Sequence, residues 1–320
     1  MNIVLPLTKT ELHQQLEVLL KRYRRRDRIY EEIQDAYGKE RAGYQGEMQL
    51  DYFLHLADLQ KTFSLAGPRL KWDKHYFQID RMILTSSVCF IIESKNFKGE
   101  LTLNEEDQLI QQTPDYQKGY DNPYTQVKLQ AKQLRQVLNS LGYSDLPIHP
   151  LVVFTNKNAI LNLGGNADMI TLQQLTFRID SLCQHYQAIY TTPELKKLAY
   201  LLLNKHTLKQ ENIINRFKVD LRSIQAGVLC TKCEYGIMKR IHGNWSCQKC
   251  QHQDRHAHIE ALSDYARLFN PLITNKTARR FLQVDSPDII YRLLSGLELL
   301  TKGNNRSTQY NLEKLLEKNK

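Results

Sequence analysis

The sequence predicts a mixed α/β core in the order helix, three strands, helix, strand, and three observations carry that prediction. A helically spaced apolar run, Met48, Leu50, Phe53, Leu54 and Leu56, follows Gly46-Glu47. Short strand-forming segments come next, of which Val88-Cys89-Phe90-Ile91-Ile92 is apolar on both faces, as a central strand requires. Asn122-Pro123 then offers an N-cap and a first-turn proline, and Pro150-Leu151-Val152-Val153-Phe154 is the short apolar strand that a crossover helix delivers.

Ahead of this core, Lys9 to Tyr37 carries Leu12, Leu16, Leu19 and Leu20 at helical spacing, and Gly38 offers a stop. Its block Lys21-Arg22-Tyr23-Arg24-Arg25-Arg26 reads as a solvated helix face or a contact for a polyanion. Glu47 is placed in the first turn of the next helix, where the helix dipole favours an anion. The three strands are placed at Lys71 to Trp72 or somewhat before, Tyr76 to Leu84 and Val88 to Ser94, an antiparallel meander whose last turn is Thr85-Ser86-Ser87. The helix opened by Asn122-Pro123 runs through Gln126, Leu129, Leu134 and Leu138. Two more helices are expected between Leu175 and Asn204, one of them opened at Pro193-Glu194-Leu195. His206 to Gln225 is polar and basic and reads as a linker or an exposed helix.

The 320 residues suffice for two or three domains. The 44 Lys and Arg against 34 Asp and Glu give a net charge of +10, which suits an anionic partner. From Gly227 onward there are 15 basic and 9 acidic residues, so most of the excess lies in the last third. No apolar run approaches the roughly 18 residues of a membrane span, and the start lacks the pattern of a secretory leader. Four of the six cysteines form two Cys-x-x-Cys pairs, a metal-site pattern rather than a disulfide framework, so a reducing, cytoplasmic setting is expected.

The central strand ends in Glu93-Ser94-Lys95-Asn96, polar groups that are costly to bury unpaired. Alternation puts Glu93 and Lys95 on one face, and Asp80 precedes them by about a dozen residues. Two carboxylates and an ammonium at one spot are what a hydrolase needs to hold a hard divalent cation and orient a water toward a phosphodiester.

Gly43-Tyr44-Gln45-Gly46-Glu47, Phe77-Gln78-Ile79-Asp80, Glu93-Ser94-Lys95-Asn96 and Asn122-Pro123-x-x-Gln126, in that order, resemble the successive motifs of the nuclease-related domain (NERD) family within the PD-(D/E)XK restriction-endonuclease-like fold. The resemblance covers roughly Arg41 to Ile160. It implies a restriction-endonuclease-like αβββαβ core and a Mg²⁺-dependent nuclease site. Carried over by position, it makes Asp80 and Glu93 metal ligands together with the Ser94 carbonyl. Lys95 would position or activate the attacking water, Glu47 would assist from the first helix, and Gln126 would contact metal, water or phosphate. Ile79 stands where the superfamily often has proline, as it does in the nuclease-related domain.

Cys230-x-x-Cys233 and Cys247-x-x-Cys250, with 13 residues between the pairs, predict a zinc ribbon with a structural Zn²⁺, because four thiolates leave no open position. The nearby His242, His252, His256 and His258 read as surface or nucleic-acid-facing residues. Farther on, Thr277 to Leu282 and Ile289 to Leu294 fit two helices, the second capped by Ser286 with Pro287 at its first position, and a hairpin follows. This resembles a winged helix, in which Arg279, Arg280, Arg292, Lys302 and Arg306 would contact phosphates or bases; a small protein-docking domain is the competing reading.

The expected division is a basic helical segment over 1–40, a nuclease-like domain over 41–205, a linker over 206–227, a zinc ribbon over 228–256 and a winged-helix-like domain over 257–320. The function this predicts is a Mg²⁺-dependent DNA nuclease. A non-cutting DNA-binding protein of the same fold and an RNA-directed nuclease are the alternatives. The sequence leaves oligomeric state and pathway open.

Overall fold

The structure, a computed structural model, describes residues 1–57, 59–304 and 307–317. It divides into two compact units, one of residues 1–8 and 41–209, the other of residues 9–40 and 210–320. Among the described residues, no helix is long and apolar enough to cross a membrane.

The first unit is built on a six-stranded mixed sheet. Its strands lie in the order Asn2–Leu5, Phe63–Ala66, Arg81–Leu84, Cys89–Lys95, Ile148–Phe154 and Met169–Thr171. The strand Cys89–Lys95 is central. It pairs antiparallel with Arg81–Leu84 and parallel with Ile148–Phe154, from Cys89 opposite Ile148 to Lys95 opposite Phe154. Because side chains alternate, Cys89 and Ile91 enter one buried cluster with Val127, Leu134 and Leu138 of the helix Pro123–Ser140. Phe90 and Ile92 enter another with Leu50 and Leu54 of the helix Arg28–Leu56 and Leu175 and Ile179 of the helix Leu172–His185. A strand covered on both faces this way reads as a continuous apolar run.

The helix–three strands–helix–strand order is thus present, but its members differ from the expected ones. The first of the three strands is Phe63–Ala66, whereas Arg69–Trp72 and His75–Gln78 form a separate hairpin. The expected strand Tyr76 to Leu84 breaks at Ile79-Asp80, where chain leaving the hairpin enters the main sheet. Four strands, Gly99–Leu103, Leu109–Gln112, Gln117–Tyr120 and Ala159–Asn162, make a further sheet. Their mixed, short patterns carry no strong alternation. The crossover helix starts as expected, the Asn122 side chain accepting from the Tyr124 N–H. The last helix of the unit, Thr192–Lys205, opens with a Thr191–Glu194 capping box.

In the second unit, the helix Glu11–Arg22 ends at Tyr23 and the helix Arg28–Leu56 begins; it runs unbroken through the expected stop at Gly38, and its residues from Arg41 on belong to the first unit. A glycine inside a helix costs about 1 kcal/mol against alanine, which tertiary packing readily overrides. Ile213, Val219 and Ile224, in the stretch expected as a linker, are buried with Leu16, Leu19 and Ile33. A four-stranded antiparallel sheet, Val228–Leu229, Ile237–Ile241, Asn244–Cys247 and Gln253–Asp254, carries the cysteines. After it come the helix Ala257–Leu268, the strand Leu272–Thr274, the helices Asn275–Leu282 and Pro287–Ser295, and the strands Thr301–Lys302 and Gln309–Asn311. The three strands form one antiparallel sheet with Gln309–Asn311 in the middle. Ser286 caps the second of the paired helices, its Oγ accepting from the Ile289 N–H.

Glycine in the helix Arg28–Leu56 serves one close approach. A Cβ on Gly46 would lie 2.6 Å from Thr155 Oγ1 and 3.2 Å from Asn96 Cβ, whereas a Cβ on Gly43 would meet nothing within 4 Å. Gly43→Ala should therefore stabilise the protein by up to about 1 kcal/mol through helix propensity alone. Gly46→Ala should destabilise it by about 1–2 kcal/mol, because overpacking outweighs that gain. Denaturant midpoints of the two variants check the contrast, and equal shifts would refute the close-packing account.

Candidate functional site

The end of the central strand is where the polar groups meet. Glu93 is 4 % exposed although it is a carboxylate, so it needs partners. Lys95 Nζ donates to its Oε1 at 2.6 Å, and Gln130 Nε2 donates to its Oε2 at 3.2 Å. Lys95 Nζ also reaches Gln126 Oε1 at 3.2 Å. Two residues apart on a strand, Glu93 and Lys95 face the crossover helix, and Gln126 and Gln130, four apart, lie on one side of that helix. Gln130 also donates to the Gln78 carbonyl at 3.0 Å, tying the helix to the chain just before Asp80.

Asp80 sits where the hairpin chain enters the main sheet. Its Oδ2 accepts from the Ser94 N–H at 2.9 Å and the Ser94 Oγ at 3.0 Å, which fixes it beside Glu93. Burial, then the nearby Glu93, push its carboxyl up to about 7, against the Ser94 bonds and Lys95, which pull it down. Glu47 comes from the other side, on the helix Arg28–Leu56. Burial and the charge of Asp80 raise its carboxyl to about 8, with Arg81 opposing. Glu47 is not in a first turn, because its helix begins at Arg28; neighbouring carboxylates and burial, rather than a helix terminus, set its acidity.

The structure thus brings together all five residues singled out from the sequence, Glu47, Asp80, Glu93, Lys95 and Gln126. It adds three that sequence reasoning missed. Gln130 is the buried amide on Glu93, and its Oε1 has no hydrogen-bond partner among the described residues. Arg81, 1 % exposed, forms an ion pair with Asp51 and donates to Ser64 Oγ at 3.3 Å. Spacing held a signal for two of them, since Gln130 is four residues after Gln126 and Asp51 four after Glu47. Asn96 holds the helix at this place, its Nδ2 donating to the Ala42 carbonyl at 2.8 Å.

The second site is the cysteine quartet. Among the described residues it is the group of three or more potential ligands whose atoms all lie within 4.8 Å of one another. Sγ atoms of Cys230 and Cys250 are 3.6 Å apart, and those of Cys233 and Cys247 are 3.7 Å apart. A Zn–S bond of about 2.3 Å in a tetrahedron requires sulfur separations of about 3.8 Å, so the quartet fits zinc. Backbone N–H groups of Lys249 and Cys250 lie 3.4 Å from Cys247 Sγ. Led by the Cys250 N–H, they lower that thiol to about 6, favouring the thiolate that a metal needs. Gly236 is required here, because a Cβ would lie 2.5 Å from Cys247 Sγ.

His258 is not a surface residue. It is buried, and its Nδ1 accepts from Trp245 Nε1 at 3.3 Å, a bond that needs the neutral ring. Of the basic residues expected to meet nucleic acid, Arg280, Arg292 and Lys302 are exposed and Arg279 is half-buried. Arg306 lies outside the described residues.

The first unit is thus a mixed α/β domain whose central strand ends in an acidic and lysine cluster. Residues 42–155 match the family model of the nuclease-related domain, so this chain carries a domain of that family. No curated protein and no solved structure matches the chain significantly.

Raised carboxyl pKa values make the metal-free domain bind protons more tightly than the unfolded chain does. The contribution of Asp80 and Glu47 to stability is full below about pH 4 and is lost as pH rises through about 7 to 8. A divalent cation held by these carboxylates should therefore raise the melting temperature more at pH 8.5 than at pH 6, and Glu47→Gln should raise it at pH 8.5 without metal. Equal cation shifts at both pH values would show that these carboxylates do not form a cation site. For the quartet, metal analysis should find one zinc per chain, lost in Cys247→Ser. Chelation should red-shift Trp fluorescence, since Trp245 is 1 % exposed beside the cysteines; unchanged emission would mean that the metal does not hold this sheet.

Proposed function

We propose that the chain is a Mg²⁺-dependent nuclease that hydrolyses DNA phosphodiester bonds at the Asp80, Glu93 and Lys95 cluster. The observation that carries this reading is Lys95 Nζ held between Glu93 Oε1 and Gln126 Oε1, beside the half-buried Asp80, at the end of the central strand. A cation held in place by fixed acceptors costs no reorganisation when negative charge grows on a phosphate.

The donor set suits Mg²⁺, which takes one or two carboxylates and keeps several waters. Asp80 and Glu93 would hold it with the Ser94 carbonyl, and their mutual repulsion is what a divalent cation relieves. When bound, Mg²⁺ supplies polarisation of a phosphoryl oxygen and a more acidic water. The chain's own residues do the rest. Lys95 orients the attacking water and offsets charge on the scissile phosphate. Gln126 sets the Lys95 ammonium, and Gln130 fixes the Glu93 rotamer. Glu47, close enough to Asp80 and Glu93 to feel their charges, would assist them from its helix.

The delivery modules belong to the same proposal. The order helix, strand, helix, helix, strand, strand over residues 257–311 supports a winged-helix-like reading, with Arg280, Arg292 and Lys302 exposed for DNA. Structural Zn²⁺ on the four cysteines would support the ribbon beside it.

Labelled single-stranded, duplex and branched DNA, with RNA alongside, tests the reading in Mg²⁺ and in EDTA. Wild type should cut DNA only with metal, and Lys95→Ala and Asp80→Ala should each lose about 10²-fold or more in rate. DNA binding without cutting on every substrate would overturn the enzyme, and cutting confined to RNA would overturn the DNA assignment.

A further inference from the structure

The second unit contains an open cleft of about 920 Å³ that no part of the proposed function uses. One wall is the hairpin of the cysteine sheet, Ile237–Ile241 and Asn244–Cys247, and the other is the turn Gln283 to Ser286 with the start of the helix Pro287–Ser295. Its floor is apolar, with Ile224, Met238, Val284 and Ile289. Its rim is basic: Arg24, Lys239 and Arg240 stand against the carboxylate of Asp285.

Arg240 is the informative residue. Its guanidinium lies over the Trp245 ring at 5.4 Å, and its Nη1 is buried with no hydrogen-bond partner among the described residues. A buried guanidinium N–H left unpaired is expensive, so this arginine is held at the cleft by its stacking on Trp245 rather than by an acceptor of its own. Arg240, Lys239 and Arg292 form no ion pair among the described residues, whereas the buried Arg22 of the same unit is paired with Asp264. Burial, with Arg292 and Arg255 nearby, pulls the Arg240 pKa below its ordinary value.

We propose that this cleft binds a single strand of nucleic acid, with phosphates on Arg24, Lys239 and Arg240 and a base against the apolar floor. The inference rests on the reading of nucleic acid as the substrate class and narrows it. Charge complementarity selects a polyanion, and the apolar floor selects one with exposed base faces, which a duplex hides in its stack. The cysteine sheet and the paired helices then act as two walls of one site rather than as separate modules.

The experiment measures fluorescence anisotropy of a labelled oligothymidine and of a blunt duplex with the full-length, zinc-loaded chain, at fixed salt. Lys95→Ala is the background, so that no substrate is cut. Lys239→Glu, an exposed position that leaves folding intact, should weaken single-strand binding about tenfold and flatten its salt dependence, with duplex binding changed less than about threefold. Arg240→Ala should do the same, with unchanged zinc content as the check on folding. Unchanged single-strand affinity in Lys239→Glu, or equal losses for strand and duplex, overturns the inference. So does a polyglutamate peptide that competes as well as the oligonucleotide, which would make the cleft an acidic-peptide site. The two readings fail separately. If wild type cuts DNA while Lys239→Glu binds the strand normally, only the cleft falls. If wild type cuts nothing while Lys239→Glu loses the strand, the nuclease falls and the cleft stands.

Discussion

The nuclease-related unit depends on the parallel register between Cys89–Lys95 and Ile148–Phe154, continued on the other side by the antiparallel register with Arg81–Leu84. With both edges paired and both faces packed, the central strand cannot slip by one residue without turning Phe90 and Ile92 out of one cluster and Cys89 and Ile91 out of the other. That constraint aims Glu93 and Lys95 at the helix Pro123–Ser140 and leaves the Ser94 N–H and Oγ to hold Asp80. Apolar packing behind the site thus stabilises an arrangement of carboxylates that is unfavourable in itself.

The second unit uses its charges differently. Of the block Lys21 to Arg26, Arg22 is buried, its Nε 2.7 Å from Asp264 Oδ2, its Nη1 donating to the carbonyls of Gln225 and Gly227, and its guanidinium against the Phe281 ring. Breaking such a pair by removing one partner typically costs about 3–5 kcal/mol, because the remaining charge stays buried. Arg22 is therefore part of the core of this unit. Arg24, two residues on, is left exposed at the cleft. A run of like charges reads as uniform in sequence, and the fold divides it into a buried structural arginine and an exposed one at the cleft.

What could be read in advance followed chemical distinctness. Asn122-Pro123, Ser286-Pro287 and the paired cysteines state their local geometry through side-chain chemistry alone, and the structure places each as expected. Weakly patterned segments were misread. Phe63–Ala66 is a four-residue core strand with no alternation to mark it, and Arg69–Trp72 has strand-forming residues yet belongs to a side hairpin. Gly38, Gly43 and Gly46 suggested boundaries in what is one helix, because local propensity costs less than the packing of Leu50 and Leu54 returns. Gln130 and Asp51 escaped notice as ordinary polar residues on a helix, distinguished only by what their faces meet.

The sequence by itself determined the helix caps, the sulfur ligand set and the acidic and lysine residues at the end of an apolar run, since each depends on residue type and short spacing. Tertiary structure decided what depends on distant partners. It buried Glu47 and Asp80 and set them close to one another and to Glu93, which raises the pKa values of the first two toward neutrality. It drew Ile213, Val219 and Ile224 into a core shared with Leu16 and Leu19. It also set Arg240 beside a cleft with a buried N–H unpaired. Charge proximity and burial arise from chain segments more than two hundred residues apart, and no local pattern encodes which of them will meet.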